Sequence, residues 1–345
     1  MNRRLVLAAA ILLLVAGAAR AQSFPDDPYY APYEWYGPLL GLPEAWRHCT
    51  GSSDVVVAVL DTGVMAGTPD LAGRLLSPIA ADGLPVLDGT THHHGTWVAS
   101  TLAMTINNGI GGAGIGNFTV LPVTVTAADG GNVSANVANG IRKAADAGAR
   151  VINISHSVWD YSLLDEAAVY ARGKGAITFV AAGNSDTYVD LTGYNNLVFV
   201  AATDSQDRRW SEVKSDGTRV GSSYGPYVAL AAPGDDILAA DPYPPTEMDR
   251  YALVHGTSFA APMVAGAAAL AWSIKPDLTP DEVLDLLERT AKDLGPLGRD
   301  DEFGYGRIDI GAMVAALTPE PATLALLASG LAAVVIGRRP GRSRE

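Results

Sequence analysis

Short runs of β-branched and apolar residues recur along the chain and constrain its fold more than any other feature. The first run, VVVAVL at residues 55–60, lies between Asp54 and Asp61 and shows no alternation of polar and apolar residues. A continuous run of this kind is typical of a strand buried on both faces of a parallel sheet. Similar runs, each predicted to be a strand, occupy residues 119–125, 150–154, 176–181, 197–202 and 228–231.

Helical patterns lie between several of these runs, for example at residues 134–147 and 162–172. Strand and helix therefore alternate, which predicts parallel βαβ units. The expected fold class is α/β, a doubly wound sandwich with a mainly parallel sheet. Residues 22–318 suffice for one large domain with a substantial buried core.

Residues 258–273 are apolar on nearly all sides and rich in small side chains. This composition predicts a helix buried on every side rather than a surface helix. We expect the helix to begin near Ser258, which places Pro262 in the first turn, where a missing N–H costs little. A transmembrane helix is disfavoured by the short length and the polar residues around it.

The net charge argues against a nucleic-acid-binding protein, and the cysteine content argues against a disulfide-stabilised one. The chain carries a formal net charge of −13, which argues against binding to nucleic acid. Cys49 is its single cysteine, so no intramolecular disulfide is possible. Stability must therefore come from packing, bound ions or both.

Three short motifs stand at the ends of predicted elements: Asp-Thr-Gly at residues 61–63, His-Gly-Thr at 94–96 and Gly-Thr-Ser at 256–258. A serine hydroxyl becomes nucleophilic when an imidazole accepts its proton, and a carboxylate must orient that imidazole. Ser258, His94 and Asp61 are predicted to fill these roles. Asn184, in AAGNS, offers an amide for the oxyanion, and the Ser258 backbone N–H is the second donor.

Each motif alone is weak, because Asp-Thr-Gly also occurs in aspartic proteases. Together, in the order Asp, His, Asn, Ser, they resemble the subtilisin family of serine peptidases. The resemblance runs from about Asp26 to Ala315 and includes VVVAVLDTGV, HGTWVAS, VLPVTV, LAAPG and GTSFAAPMVAG. It implies a subtilisin-like three-layer sandwich in which Asp61 orients His94, His94 acts as base and then acid, and Ser258 forms the acyl-enzyme.

The sequence disfavours two other kinds of site, an esterase site and a histidine metal site. An esterase of the α/β-hydrolase type needs Gly-x-Ser-x-Gly, which residues 256–260 do not supply. A metal site on the adjacent histidines His92, His93 and His94 is disfavoured, because neighbouring side chains point apart in an extended chain and a metal needs convergent ligands.

The resemblance also implies a structural calcium ion, which oxygen ligands bind. The loop at residues 106–112, INNGIGG, looks like the family's high-affinity calcium loop. No organic cofactor is expected. The alternative is a plain Asn-Gly-rich turn beside two unrelated aspartates. The implied ligands are the side chains of Asp27, Asp70 and Asn108 and the carbonyls of Ile106, Ile110 and Gly112.

The segment that flanks the substrate departs from the family pattern. Relatives carry a Ser-Leu-Gly-Gly-like sequence, whereas this chain has Ser155-His156-Ser157-Val158. Side chains on Ser157 and Val158 are expected to narrow the primary pocket or obstruct the bound peptide. The residues expected to line the substrate channel are Gly130, Gly131, Asn132, Ser155, His156 and Ser157.

Both chain ends look like targeting signals. Residues 1–21 have a basic start, a short apolar run and an Ala-x-Ala end, the pattern of a cleaved signal peptide. Residues 319–345 resemble a PEP-CTERM sorting tail, with an apolar helix at 322–337 followed by arginines. This tail implies transient insertion into the inner membrane and cleavage by an exosortase-type enzyme, the alternative being a permanent anchor.

The sequence thus predicts an exported, monomeric serine endopeptidase that acts on proteins or peptides at the envelope, surface or extracellular matrix of a Gram-negative bacterium. The alternative, from a different class, is a catalytically silent binding or matrix protein that keeps the fold while Ser157 and Val158 block its channel.

Overall fold

A seven-stranded parallel sheet forms the centre of the molecule, in the order β2-β3-β1-β4-β5-β6-β9. The structure, a computed structural model, describes residues 24–126, 134–156, 158, 160–241 and 250–318. The predicted signal peptide and sorting tail lie outside the described residues. The sheet strands are β1 (Val56–Asp61), β2 (Ile79–Ala80), β3 (Thr119–Thr124), β4 (Val151–Ile154), β5 (Ile177–Ala181), β6 (Leu197–Thr203) and β9 (Val228–Pro233).

All six strands predicted from apolar runs are present, with bounds that differ by a residue or two. The sequence did not indicate β2, because a two-residue edge strand leaves no pattern. Two antiparallel hairpins were also not predicted. They are formed by β7 (Ser211–Val213) with β8 (Arg219–Gly221), and by β10 (Ile237–Ala240) with β11 (Tyr251–Val254).

Helices cover both faces of the sheet, as a doubly wound α/β fold requires. Three short helices precede β1, and a 3-10 turn at Pro69–Leu71 follows it. The helices are α1 (Tyr30–Tyr33), α2 (Tyr36–Leu39), α3 (Leu42–Trp46), α4 (His94–Ala103), α5 (Ser134–Asp146), α6 (Tyr161–Gly173), α7 (Thr257–Ile274), α8 (Pro280–Thr290) and α9 (Ile310–Leu317).

The side chains of each strand divide between two cores. In β1, Val57 and Val59 pack with α4 and α7, whereas Ala58 and Leu60 pack with α5 and α6. Successive side chains of a strand point to opposite faces, so a strand with apolar neighbours on both sides must be apolar throughout. This explains why the strands read as unbroken apolar runs.

Helix α7 lies at the centre of the first core, against β4, β5, β6, β9 and α4. It is apolar and long enough to cross a membrane, but 89% of the relevant window is buried inside the protein, as expected for a core helix. Pro262 is its sixth residue, beyond the first turn where the sequence placed it. Its missing N–H therefore deprives the carbonyl of Ser258 of a helical partner.

Candidate active site

Asp61 and His94 form the best-defined pair of the site. Asp61 ends β1 and is fully buried, and His94 begins α4 with a side chain 28% exposed. The Nδ1 atom of His94 lies 2.9 Å from both carboxylate oxygens of Asp61. The Thr62 backbone N–H also donates to Asp61 Oδ1, at 2.7 Å. The carboxylate therefore fixes the orientation of the imidazole.

The glycine of the His-Gly-Thr motif lets the two elements approach. A Cβ atom on Gly95 would stand 2.2 Å from the carbonyl oxygen of Gly63, a contact that no side chain tolerates. The Gly95 backbone N–H donates to Thr62 Oγ1 at 3.1 Å. The Asp-Thr-Gly and His-Gly-Thr motifs are therefore in direct contact.

Ser258 is the second residue of α7 and is held by reciprocal bonds to Ser155. Its hydroxyl donates to the Ser155 carbonyl at 3.1 Å, and its own carbonyl accepts from Ser155 Oγ at 2.7 Å. Asn153 donates in turn to Ser155 Oγ at 3.0 Å. The Ser155 hydroxyl thus supplies the hydrogen bond that Pro262 cannot give to the Ser258 carbonyl. Sequence reasoning placed Ser155 in the substrate segment and missed this role.

Asn184 is oriented by Thr257. Its Oδ1 accepts from the backbone N–H of Thr257 at 2.9 Å and from the Thr257 hydroxyl at 2.8 Å. A backbone N–H can only donate, so the oxygen of the amide must face Thr257. The Nδ2 group consequently points the other way, free to serve as a donor. The sequence identified Asn184 but gave no sign of this contribution from Thr257.

His156 is a second imidazole on the same carboxylate. Its Nε2 lies 3.2 Å from Asp61 Oδ1, and its ring centroid is 5.3 Å from that of His94. Burial alone would raise the pKa of Asp61, but the charges of the two nearby imidazoles hold it well below its usual range. Burial opposes protonation of His156, yet the charge of Asp61 raises its pKa. Sequence reasoning missed this contact.

One small cavity joins several of these groups. Ser258, Asn184, Ser155, His156 and Tyr161 are among the residues that line it. The His94 ring lies 5.9 Å, centroid to centroid, from the ring of Phe259, the residue that follows Ser258. The fold therefore brings residues from β1, α4, the ends of β4 and β5 and the start of α7 to one place.

The substrate segment is described only in part. Gly130, Gly131, Asn132 and Ser157 lie outside the described residues. Val158 is 5% exposed and packs in the core beside α5 and α6. The expectation that Ser157 and Val158 narrow the primary pocket or obstruct the peptide stays a prediction.

The family model described as the subtilase family matches residues 52–306. The chain belongs to the subtilase family. It is 36% identical over 295 residues to a thermophilic serine proteinase of a Bacillus species, covering 83% of this chain and 68% of that one. Thermitase of Thermoactinomyces vulgaris is 37% identical over 256 residues, covering 71% of this chain and 84% of thermitase.

A solved structure agrees with this assignment. A protease of Pseudoalteromonas arctica superposes with a TM-score of 0.71 at 31% identity, covering 86% of this chain and 100% of the other. The subtilisin-like α/β fold predicted from the sequence is confirmed, and the chain is a subtilase-type serine protease.

The adjacent histidines of this subtilase do not converge. His93 Nδ1 lies 2.8 Å from Asp241 Oδ1, whereas His94 faces Asp61. Two neighbouring rings therefore turn to different carboxylates.

The loop at residues 106–112 of the subtilase packs against both predicted aspartates. Asp27 accepts from the backbone N–H groups of Asn107 and Asn108, at 2.8 and 3.0 Å. Asp70 accepts from the Asn108 amide at 2.8 Å, from Gly112 N–H at 3.3 Å and from the Tyr251 hydroxyl at 3.1 Å. The structure thus brings Asp27, Asp70 and the loop together.

Glu34 adds a third buried carboxylate that sequence reasoning missed. It is 1% exposed, its Oε1 accepts from Ala113 N–H at 2.7 Å, and its Oε2 has no hydrogen-bond partner among the described residues. Burial raises the pKa of Glu34 well above its usual range and that of Asp70 to about 7. Within the described part of the chain, no lysine, arginine or histidine pairs with Asp27, Glu34 or Asp70. This excess of negative charge fits a bound cation.

The pairing of Ser155 with the Ser258 carbonyl predicts a coupling between Ser155 and Pro262. Ser155→Ala should lower the free energy of unfolding by about 1–3 kcal/mol, because a buried carbonyl loses its partner. In a Pro262→Ala background, the restored N–H donates to the Ser258 carbonyl, so the same change should cost about 1 kcal/mol less, and the remaining cost is the acceptor that Asn153 loses.

Urea unfolding, followed by circular dichroism in a Ser258→Ala background that suppresses self-cleavage, measures this cycle. An equal cost of Ser155→Ala with and without Pro262 would show that the hydroxyl does not replace the missing helix bond.

Proposed function

We propose that this subtilase is an exported serine endopeptidase that cleaves proteins or peptides through an acyl-enzyme on Ser258. The observation that carries the proposal is the placement of Ser258 and Asn184 on one cavity, with the Asp61–His94 pair beside it. The family of the chain supports the same chemistry.

The proposed reaction begins with proton transfer. His94 keeps its Nδ1 proton on Asp61, which leaves the lone pair of Nε2 to accept the proton of Ser258. The Ser258 hydroxyl donates to the Ser155 carbonyl in this structure, so it must turn about its Cα–Cβ bond to reach the imidazole. Its oxygen then attacks the peptide carbonyl, and His94 returns the proton to the leaving amine. Water then attacks the acyl group with His94 as the base, and His94 returns the proton to the Ser258 oxygen as the acyl group leaves.

Two donors would hold the negative oxygen that forms during attack. The Nδ2 group of Asn184 is the first, since Thr257 occupies the other end of its amide. The Ser258 backbone N–H at the start of α7 is the second. Donors fixed before the substrate arrives need no reorganisation during the reaction, which is the main source of their catalytic effect.

The nucleophile is tested by substitution. Ser258→Ala should reduce casein hydrolysis by a factor on the order of 10⁶, the scale on which loss of the triad serine lowers kcat in subtilisin. Ser215→Ala is the matched control, because Ser215 is exposed and remote from the motif, and it should retain full activity.

A serine-directed phosphonylating reagent should label the parent protein at Ser258 and leave Ser258→Ala unlabelled. Folded protein that neither cleaves casein nor accepts the label would refute the catalytic proposal and favour the silent binding protein. Labelling without casein cleavage would indicate a peptidase of narrow specificity.

We further propose that calcium binds the loop at residues 106–112. Asp27, Asp70 and Asn108 would supply side-chain oxygens, with carbonyls of Ile106, Ile110 and Gly112. Three buried carboxylates without a paired cation, among them Glu34, support the proposal. When bound, the ion would neutralise their charge and join the N-terminal segment to the loop. Its role would be structural rather than catalytic.

Removal of calcium should destabilise the protein more at high pH than at low pH. The folded pKa of Asp70, about 7, lies above its unfolded value of 3.8. Without a cation, the stability therefore falls as pH rises from the unfolded pKa to the folded pKa of Asp70. Calcium in hundredfold to thousandfold excess over its dissociation constant should add about 3–4 kcal/mol.

Melting curves with calcium and with a chelator, at about pH 5 and about pH 8, measure the effect. Asp70→Asn should stabilise the chelated protein at the higher pH and abolish most of the response to calcium, whereas Asp216→Asn, on the surface, should behave like the parent. Identical melting with and without calcium at both pH values would refute the site.

The targeting of the chain rests on its two ends. We propose that residues 1–21 direct export and are removed, and that residues 319–345 hold the exported domain at the inner membrane until a sorting enzyme cuts near Pro319. Charged residues after an apolar segment halt translocation, which supports this order of events.

Mass spectrometry of the mature protein tests the tail. A carboxyl terminus near residue 319 is expected if the tail is processed, and removal of Arg338, Arg339, Arg342 and Arg344 should weaken membrane retention before cleavage. An intact terminus at Glu345 in membrane-bound protein would show a permanent anchor instead.

A further inference from the structure

Asp61, His94 and His156 bring three potential metal-binding atoms close together. Their ligand atoms all lie within 4.8 Å of one another. Asp61 Oδ1 is 2.9 Å from His94 Nδ1 and 3.2 Å from His156 Nε2. Although it lies close to Asp61, His156 Nε2 makes no hydrogen bond in the described part of the chain. Its lone pair or proton is therefore not committed to a well-aligned partner.

The spacing suits a small tetrahedral ion. Zinc binds imidazole nitrogen and carboxylate oxygen at about 2.0–2.2 Å, so two of its ligand atoms stand about 3.3 Å apart. The distances from Asp61 Oδ1 to His94 Nδ1 and to His156 Nε2, 2.9 and 3.2 Å, are already close to this value. The set of two imidazoles and one carboxylate favours zinc over calcium, which prefers six or more oxygen ligands. Three protein ligands would leave a fourth position for water.

The site is sheltered yet reachable. The Asp61 side chain is fully buried, whereas those of His94 and His156 are 28% and 18% exposed. The Asp61 carboxylate lies beside both imidazoles, at the base of the site. An ion can approach past the partly exposed rings, although the Nε2 atom of His156 is itself buried.

We propose that Asp61, His94 and His156 form a transition-metal site that binds zinc and reversibly inhibits the enzyme. His156 is the residue that makes this possible, because it adds a second imidazole beside the Asp61–His94 pair. Without it, the Asp61–His94 pair offers two ligands, too few for a specific zinc site.

Metal binding changes which nitrogen of His94 carries the proton. Zinc takes the lone pair of Nδ1, so in the neutral ring the proton moves from Nδ1 to Nε2 through solvent. Nε2 then has no lone pair with which to accept the Ser258 proton. Any proton on His156 Nε2 is released to solvent when zinc binds that nitrogen. No oxidation state changes, and withdrawal of the metal restores the original protonation of both rings. The inhibition rests on the proposed roles of His94 and Ser258, but the binding does not.

One other histidine-carboxylate group is present in the described part of the chain, formed by Asp235, Asp236 and His255. His255 Nδ1 is already engaged by Asp235 at 2.8 Å, and all three side chains are substantially exposed. This group supplies the matched control, because His255→Gln removes an imidazole of the second cluster and leaves the first intact.

Binding is measured first, with Co²⁺ as a spectroscopic probe on the Ser258→Ala protein and calcium in excess. A tetrahedral Co²⁺ centre absorbs strongly in the visible range, and one equivalent should bind. Ser258→Ala combined with His156→Leu should weaken binding by a factor of roughly 10 or more, whereas combination with His255→Gln should not change it. Because this protein lacks the Ser258 hydroxyl, the result does not depend on the nucleophile.

Inhibition is measured second, by zinc titration of peptide hydrolysis, each variant being scored against its own metal-free rate. The parent and His255→Gln should be inhibited at the same zinc concentration. His156→Leu and His156→Gln should require a zinc concentration at least roughly tenfold higher for the same inhibition. A zinc-selective chelator should restore the rate.

Equal Co²⁺ affinity with and without His156, or equal zinc inhibition of folded His156 variants and the parent, would overturn the proposal. If Co²⁺ binds as expected but the parent has no hydrolytic activity, the metal site stands and the proposed peptidase function fails.

Discussion

The buried carboxylate of Asp61 is the charge around which the site is arranged. A carboxylate removed from water is costly unless hydrogen bonds and opposite charges replace its hydration. Here the Thr62 backbone N–H and the imidazole of His94 donate to it, and His156 adds its positive potential. The end of β1 and the start of α4 must lie close together to provide these partners, which explains the glycine at position 95. The catalytic geometry is thus also part of the solution to a folding problem.

Much of this arrangement could be predicted from the sequence. Strands buried on both faces must be apolar throughout, so six of them were visible as runs, and the three motifs fall where a strand ends or a helix begins. The residues that were missed act through tertiary contacts. His156 is far in sequence from Asp61, and Glu34, which directly follows α1, is far in sequence from the loop at residues 106–112. Thr257 and Ser155 look like ordinary polar residues until their hydrogen bonds are seen.

The error in the placement of Pro262 shows what a local rule leaves out. Helix propensity predicts that a proline lies in the first turn, where its missing N–H is harmless. In the structure it is the sixth residue of α7, in the second turn, and Ser155 from the end of β4 replaces the lost hydrogen bond. Proline is thereby tolerated in the helix because a hydroxyl from the sheet is fixed beside it. The repair also joins the central sheet to the residue proposed as the nucleophile.

Thr257 and Ser258 are neighbours on α7, and this adjacency has a dynamic consequence. Thr257 holds the Asn184 amide through two hydrogen bonds, so a displacement of the helix carries the serine hydroxyl and the amide donor in the same direction. Their separation is then insensitive to breathing motions that shift the helix against the sheet. Motions of the same size that separate α4 from α7 would instead change the distance from the imidazole to the serine. Thermal fluctuation should therefore affect the proposed proton transfer from Ser258 to His94 more than the proposed stabilisation of the oxyanion.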